Sequence, residues 1–560
     1  MEPRADGQVL LLQPWVEDFY GTDCRVQPIG LGYLAGSLAG RFPELAVEIY
    51  DALAGGGKRS IAWPREFSYL KRYYGHPDRG PFALFHQYYR FGDSDETVVE
   101  RLARYDPFLI GISSLFSPYY RESLSLARLC RRVFPGIPIV MGGSHASLHP
   151  ASLLAPGEPF ARDGPLCDYV LRGECEESIC ELVEHLLGRR DLSDVTNLVD
   201  RGNLDSCRTT PVAPRREHIP EPRFPGLDPS RYTYRGRRMT FLITSRSCPH
   251  RCTFCSIHSV FGWNYETRSV ESIIGEIRRR YAEGIRHFDI EDDNFTFRRS
   301  HTLELLERIA ALRLPISFSA MNGVSYFSLD REALEKMWEA GFETLNVALV
   351  SSDATVLRFT KRPHTVARFR EVVAGATELG FRVTAYYILG MPGQTVDEMW
   401  GTLKTLASTR CLVGASPFYF TPGSPIHERE KDSPRLRLAS RDRDPLFSAR
   451  LTALDVETED FRRDDVYTCF RMTRLVNHVK EGIDRGLPPD HEHFAPVIRA
   501  LGKKRWHAES RARREPLPFS ARIARRLDAT PLEIAGFRTD RRLVWDPGGQ
   551  TLRSPFMSPS

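Results

Sequence analysis

Short apolar runs alternate with amphipathic stretches along most of the chain. In the first 200 residues the runs fall at 9–12, 47–50, 108–113, 137–141 and 169–171, with helix-period patterns between them, as at 31–38 and 120–133. Strands alternating with helices predict a parallel sheet covered by helices on both faces, a doubly wound α/β domain. A second alternation begins near residue 240. Its strands fall at 240–244, 287–290, 316–320, 344–349, 383–389 and 412–418, with helices at 269–282, 302–312, 331–340, 365–379 and 395–407. Six strand–helix units in this span predict a partial (β/α)6 barrel, whose chemistry sits on loops at the C-terminal strand ends.

Three stretches break the alternation. The segment 55–92 is rich in Tyr, Phe, Arg and Pro, and reads either as a cap over an active site or as a plain surface insertion. A Pro- and Arg-rich stretch at 211–229 has little periodicity and reads as a linker. From about 429 the pattern is irregular and highly charged, which predicts a small, mainly helical region with a loose tail. The expected division is a first domain at 1–205, a linker at 206–235, the barrel at 236–428, and a substrate or cap domain at 429–560.

The 560 residues are too many for one core. Composition, 41% hydrophobic and 27% charged, is that of a globular protein, and the net charge of +5 without like-charge blocks argues against a nucleic-acid partner. Nine of the 77 basic residues are Lys, leaving 68 Arg, which reads as the codon usage of a GC-rich genome. The N-terminal apolar run is too short for a signal-peptide core, and no run reaches the roughly 18 residues of a membrane helix. The expectation is a cytoplasmic protein with no membrane contact. Eleven cysteines in a reducing compartment point to a metal or to catalysis where they cluster.

Three do cluster. Cys248, Cys252 and Cys255 follow the first barrel strand with spacing C-x3-C-x2-C. Three thiolates on one short loop can bind three irons of a [4Fe–4S] cluster and leave the fourth iron open. The alternative is a zinc site completed by His258 or His250.

The motif and its position resemble the radical SAM superfamily. The resemblance implies that S-adenosylmethionine (SAM) binds the fourth iron and is cleaved to a 5′-deoxyadenosyl radical, chemistry that belongs to the cofactor. It places Phe254 at the adenine. It sets Asp292, Asp293 and Asn294, after the second strand, beside SAM; an N-cap for the next helix is the plainer reading. Ser319 and Asn322 resemble ribose contacts. The fourth strand ends in Ser351 and Ser352, followed by Arg358 and Arg362, and the resemblance sets Ser351, Ser352 and Arg358 beside SAM, although Val350-Ser351 departs from the family's Glu-Ser. Gly390-Met391-Pro392-Gly393-Gln394-Thr395 resembles the family's G-x-P-G-[EQ]-T turn, where Gly390, Pro392 and Gly393 let backbone approach the adenine.

The first domain resembles the flavodoxin-like cobalamin-binding domain found ahead of such barrels. The matching segments contain Gly30; Ser113, Ser114 and Leu115; Gly142 and Gly143, followed by Ser144 and His145; and Gly173 and Glu174. All lie at carboxyl ends of strands, where doubly wound sheets bind ligands; each pair alone reads as ordinary turn residues. The loop 13–24 contains no His, so the resemblance implies a cobalt without a lower nitrogen ligand, with Trp15, Phe19 or Tyr20 either facing its lower side or packed in the core. His145 is a weak substitute.

The combined resemblance is to class B, cobalamin-dependent radical SAM methyltransferases, many of which act in antibiotic biosynthesis. It implies that one SAM supplies a methyl group through the corrin while a second supplies the radical that removes hydrogen from an unactivated substrate carbon. Implied partners are a small-molecule substrate, free or carrier-protein-bound, and an external flavodoxin- or ferredoxin-type electron donor. Two rivals stay open: a cyclase or rearrangement enzyme of the same architecture, and a non-catalytic cobalamin or metal sensor. The aromatic run Phe418-Tyr419-Phe420, ending the last barrel strand, reads as core more readily than as pocket wall.

Overall fold

Strand β1 (Gln8–Gln13) reads QVLLLQ, and Val9, Leu10, Leu11 and Leu12 are all fully buried. A strand apolar on both faces belongs in the middle of a parallel sheet. β1 pairs in parallel with β2 (Ala46–Asp51) on one side and β3 (Pro107–Ser113) on the other. The sheet continues through β4 (Ile139–Gly142), β5 (Tyr169–Leu171) and an antiparallel edge, β6 (Leu198–Val199). The order β2-β1-β3-β4-β5 is the flavodoxin-like doubly wound order, and its direction reverses between β1 and β3. Helices α1 (Ile29–Arg41), α2 (Asp95–Leu102), α3 (Tyr120–Val133) and α4 (Glu176–Leu186) cover the faces. The computed structural model describes residues 7–20, 27–74, 84–208, 219–322, 324–362, 365–441, 443–487, 520–529, 532–538, 542–545 and 552–553.

Helix α1 carries more glycine than helix propensity favours. The reason is the chain that crosses it. A Cβ on Gly36 would lie 2.0 Å from the Glu221 carbonyl, and one on Gly32 would lie 2.4 Å from the Phe224 ring. Arg223 N–H donates to the Gly32 carbonyl at 2.9 Å, and Ile49 N–H to that of Pro225 at 3.0 Å. Residues 221–225, read above as linker, are thus clamped in a groove of the first domain; 209–218 lie outside the described residues.

The second series gives β7 (Arg237–Leu242), β8 (His287–Ile290), β9 (Ser317–Ser319), β10 (Thr344–Val350), β11 (Arg382–Leu389) and β12 (Leu412–Pro417), in sequential parallel order. Two groups of three are joined by parallel bridges Phe318–Phe342 and Val324–Val347, so the six strands form one partial barrel. Its outer helices are α5 (Val270–Ala282), α6 (Arg299–Ala311), α7 (Arg331–Glu339), α8 (Val366–Leu379) and α9 (Val396–Ala407).

The C-terminal region supplies the long helix α10 (Arg463–Asp484), packed against β12 and α9, and a small antiparallel sheet at Leu532–Ala535, Arg542–Trp545 and Leu552–Arg553 that the sequence reading did not anticipate. Lys480 joins them: its buried ammonium donates to the carbonyls of Ala407, Thr409 and Ala535 at 2.8, 2.6 and 2.9 Å. The 55–92 segment is a buttress. Tyr88–Phe91 is the central strand of a small antiparallel sheet, paired with Lys58–Ile61 on one side and Val16–Asp18 on the other. Tyr69, Tyr73 and Tyr74 donate phenol hydrogens to Ala453 O, Asp464 and Thr452 O. Residues 75–83 lie outside the described residues. No described helix is long and apolar enough to cross a membrane.

Candidate functional site

The cysteine loop is held by backbone bonds from distant barrel strands. Thr253 N–H donates to Thr360 O at 3.3 Å, beyond β10, and Ile426 N–H donates to Thr253 O at 2.8 Å, beyond β12. Asp292 pins its entry: the buried carboxylate accepts Thr244 N–H at 2.6 Å and Ser245 Oγ–H at 2.6 Å. Cys252 is buried, and Cys248 and Cys255 are half-buried. Asn294 Nδ2 donates toward Cys248 Sγ at 3.7 Å and Arg362 Nη1 toward Cys252 Sγ at 3.6 Å. Burial, followed by charge from the other cysteines and Asp293, pushes the Cys255 thiol up to about 11, and Cys248 also moves up, mainly through burial. Three thiolates persist in such a place only against a cationic centre.

Polar atoms around the loop fit an incoming ligand. Asn294 Oδ1, Thr253 Oγ1 and Arg362 Nε are buried without a hydrogen-bond partner among the described residues. Each such atom costs about 1–3 kcal/mol unless a ligand meets it. Of the two histidines in the zinc alternative, His258 is turned to other partners. His258 spends Nε2 on His250 O at 2.6 Å and Nδ1 on Gly262 O at 3.3 Å, with its ring flat on Trp263. Among the described residues no three His, Cys, Asp or Glu side chains gather closely enough to chelate a single ion.

The structure sorts the strand-end residues. Phe254, Asp293 and Asn294 converge on the loop. Asp293 reaches solvent from a concave wall, where burial and then Asp292 push its carboxyl up to about 6. Asn322 donates to Glu291 Oε2 at 2.7 Å on the rim. The others brace the scaffold. Asp292 is turned inward as described. Ser319 donates to Asp289 at 2.7 Å and meets His287 Nε2 at 3.0 Å. Ser351 and Ser352 are tied to Thr402 of α9, and exposed Arg358 bonds its own helix at Thr355. Arg362, four residues on, is the arginine that reaches a cysteine. In the turn after β11, Gln394 Oε1 accepts Gly390 N–H at 2.8 Å. Gly390 has φ +78°, and a Cβ there would lie 2.8 Å from Val466 of α10.

A second site lies between the domains. A cavity of about 270 Å³ opens at the C-terminal ends of β1 and β3, the point where strand order reverses. Trp15, Tyr20, Ser113, Leu115 and Phe116 line one side, and Tyr419 and Leu451 the other. Phe19 instead points into a cluster with Trp63, Phe67, Tyr74 and Tyr88. No His occurs at 13–20; 21–24 lie outside the described residues. Ser114 Oγ is buried without a hydrogen-bond partner among the described residues, and Gly143, at φ +117°, lies so close that a Cβ would sit 2.6 Å from Ser114 O. An orphan hydroxyl beside a glycine cradle suits a bulky polar tail. Gly142 adjoins Cys175, Gly173 N–H is held by Ser147, and Gly30 has open space around it. His145 has both ring nitrogens engaged, by Ser117 and Ser152 at 3.0 and 2.9 Å, and burial keeps it neutral.

Two residues join the sites. Arg246, two positions before Cys248, donates to Glu174 at 2.9 Å and to Glu176, and lies over the Tyr33 ring of α1. Glu174 is therefore an interdomain anchor. Tyr419 lines the cavity, and its phenol is pushed up by burial and then by the nearby Cys255 charge. Phe418 and Phe420 on either side, just past the end of β12, are core, which leaves Tyr419 as the ring of the three that lines the cavity.

Residues 242–406 match the family model of the radical SAM superfamily, and residues 85–183 match that of the B12 binding domain. The chain is 28% identical over 439 residues to cytidylyl-2-hydroxyethylphosphonate methyltransferase of Streptomyces wedmorensis, covering 71% of this chain and 76% of that one. It is 28% identical over 310 residues to an uncharacterized methyltransferase of Pyrococcus horikoshii, covering 55% and 65%. Among solved structures, the radical S-adenosylmethionine methyltransferase TsrM from Kitasatospora setae, with cobalamin and a [4Fe–4S] cluster bound, superposes with a TM-score of 0.56 at 18% identity over 79% of this chain and 84% of that one. That likeness establishes the fold.

Proposed function

We propose, on the premise that the chain is a radical SAM enzyme with a B12-binding domain, that it is a cobalamin-dependent methyltransferase acting on an unactivated carbon of a small molecule. The observation that carries this reading is Tyr419: its ring lines the interdomain cavity, and its phenol lies within electrostatic range of Cys255 on the cysteine loop, so the two sites are neighbours.

In this reading Cys248, Cys252 and Cys255 would hold the cluster, with Asn294 and Arg362 donating to the Cys248 and Cys252 sulfurs. Asp293, Asn322 and Phe254 border SAM, with the Gly390–Gly393 turn beside them. Trp15, Tyr20 and Leu115 form the apolar wall for the corrin, Ser114 offers a donor to its tail, and Gly143 lets that tail pass. When bound, the cluster supplies the electron that splits SAM, and the corrin supplies a methyl group for transfer. The apolar walls keep water from the reacting carbon. We place the enzyme in the cytoplasm, with a free or carrier-bound substrate and an external one-electron donor.

The test is SAM labelled in its methyl group. Each turnover is expected to consume two SAM, put label into product, and release one S-adenosylhomocysteine, one methionine and one 5′-deoxyadenosine. Deoxyadenosine without labelled product would make the enzyme a cyclase or rearrangement catalyst. A second measurement addresses the lower face. Paramagnetic resonance of the cobalt(II) form is expected to show no nitrogen splitting, since 13–20 lack His and His145 has no free nitrogen. Splitting from a protein nitrogen would overturn this.

A further inference from the structure

A second cavity, of about 500 Å³, lies beside β7, the first strand of the barrel, and shares no lining residue with the first. The clamped segment at 221–232 walls one side, and Glu276, Arg279 and Arg280 of α5 wall another. Gln27 and Thr240 close the back. Barrel helices run opposite to their strands, so the end of α5 and Ile285, just before β8, set this cavity toward the N-terminal ends of the strands. The cysteine loop leaves the other end. The volume is that of a small-molecule site.

Its buried wall is polar. Gln27 Oε1 accepts Phe241 N–H at 2.8 Å and the Thr240 hydroxyl at 3.0 Å. The atom that meets a backbone N–H must be the oxygen, so the amide nitrogen is the other end, and it has no partner among the described residues. Glu276 is 2% exposed. Its Oε2 accepts from Arg268 at 2.6 Å, while Oε1 is buried without a hydrogen-bond partner among the described residues. At the rim Arg279 pairs with Glu221 at 2.5 Å and Arg280 with Glu283 at 2.9 Å. Arg280 also donates to Pro222 O at 2.7 Å and lies over the Phe224 ring at 4.8 Å, which fixes its guanidinium plane. Each acid on the cavity wall is thus matched by an arginine. Arg223 is left over: it is exposed and has no carboxylate partner among the described residues.

We propose that this cavity binds a nucleoside monophosphate whose base carries an amino group. The surplus Arg223 requires an anion at the rim. The unmet Glu276 oxygen requires an N–H in the interior, and the Gln27 amide nitrogen requires an acceptor. An amino group beside a ring nitrogen, as in adenine and cytosine, offers both to side chains of these types. A guanidinium held flat, as Arg280 is, suits a planar ring stacked on it. A simple anion would leave Glu276 unmet, and a simple amine would leave Arg223 unmatched. The site is separate from the catalytic cavity, and its assignment does not depend on the reaction proposed there.

The experiment is titration calorimetry of AMP and of CMP into the full-length protein, loaded with cluster and hydroxocobalamin and saturated with SAM so that the SAM site is filled. At least one of the two nucleotides is expected to bind at a single site. Arg223→Glu is expected to weaken it roughly tenfold while leaving the affinity for the free nucleoside unchanged. Glu276→Gln is expected to weaken nucleotide and nucleoside alike. Arg223 is exposed, and its backbone bond to Gly32 survives substitution, so that variant reads out binding even where the buried Glu276 change disturbs folding. No saturable binding of either nucleotide under SAM, or binding that Arg223→Glu leaves unchanged, would overturn the proposal. Inorganic phosphate bound as tightly as the nucleotide would show a plain anion site and would overturn it as well.

Discussion

A Cys248→Ala, Cys252→Ala, Cys255→Ala triple variant will fold normally and hold almost no iron. Reconstituted wild type is expected to carry about four irons per chain and the variant less than about one, with SAM cleavage under reduction abolished. Normal folding follows from what holds the loop. Its tethers are the Thr253 backbone bonds to Thr360 and Ile426 and the Asp292 carboxylate on Thr244 and Ser245, none of which uses a cysteine sulfur. Circular dichroism should therefore be unchanged. Cys130→Ala is the control: that side chain is fully buried in the first domain's core, and its loss should leave iron intact. A triple variant that keeps about four irons would refute the assignment.

Legibility followed distance along the chain. The strands of both sheets were readable because a parallel strand is apolar on both faces and short, as in the VLLL of β1. The cysteine triad was readable because its three ligands lie within eight residues. Roles set by direction or by distant partners were not. Asp292 and Asp293 are a doublet in sequence, and only the backbone decides that the first turns inward and the second outward. Arg358 and Arg362 lie one helical turn apart, and the more distant one reaches the sulfur. Glu174 stood at the right strand end, but its partner Arg246 lies 72 residues away in the other domain. Gly30, at the start of α1, read as a cobalamin contact, which says nothing of its helix-mates. In the structure, Gly32 and Gly36 make room for residues 221–224. Tyr419 was obscured by its neighbours, since an aromatic triplet does not say which ring the core takes.

Arg450, in the irregular C-terminal region, carries the second large effect. It forms a fully buried ion pair with Asp18 at 3.1 Å, with side-chain exposures of 2% and 0%. Its guanidinium also donates to Glu17 O at 2.8 Å, Phe447 O at 3.0 Å and Pro118 O, and lies over the rings of Phe67, Tyr119 and Phe447. Arg450→Met would leave the Asp18 carboxylate buried with only Thr452, Tyr119 and the Phe19 amide. Removing one partner of a buried pair costs about 3–5 kcal/mol, which should lower Tm by roughly 10 °C. Arg450→Lys should not rescue it, because an ammonium lacks the fork that reaches these acceptors together. Adding Asp18→Asn should recover part of the loss by removing the stranded charge. The same bonds fix residues 17–18 and 118, which flank the cavity walls Trp15, Tyr20 and Tyr119. The Met variant should therefore also lose hydroxocobalamin on desalting, read from its visible absorbance, while keeping its iron. Loss of stability with corrin fully retained would show that the C-terminal region braces the fold without shaping the cavity. Loss of both, partly restored by Asp18→Asn, would show that one buried charge pair holds the first domain's strand-end loop in the shape the cavity requires.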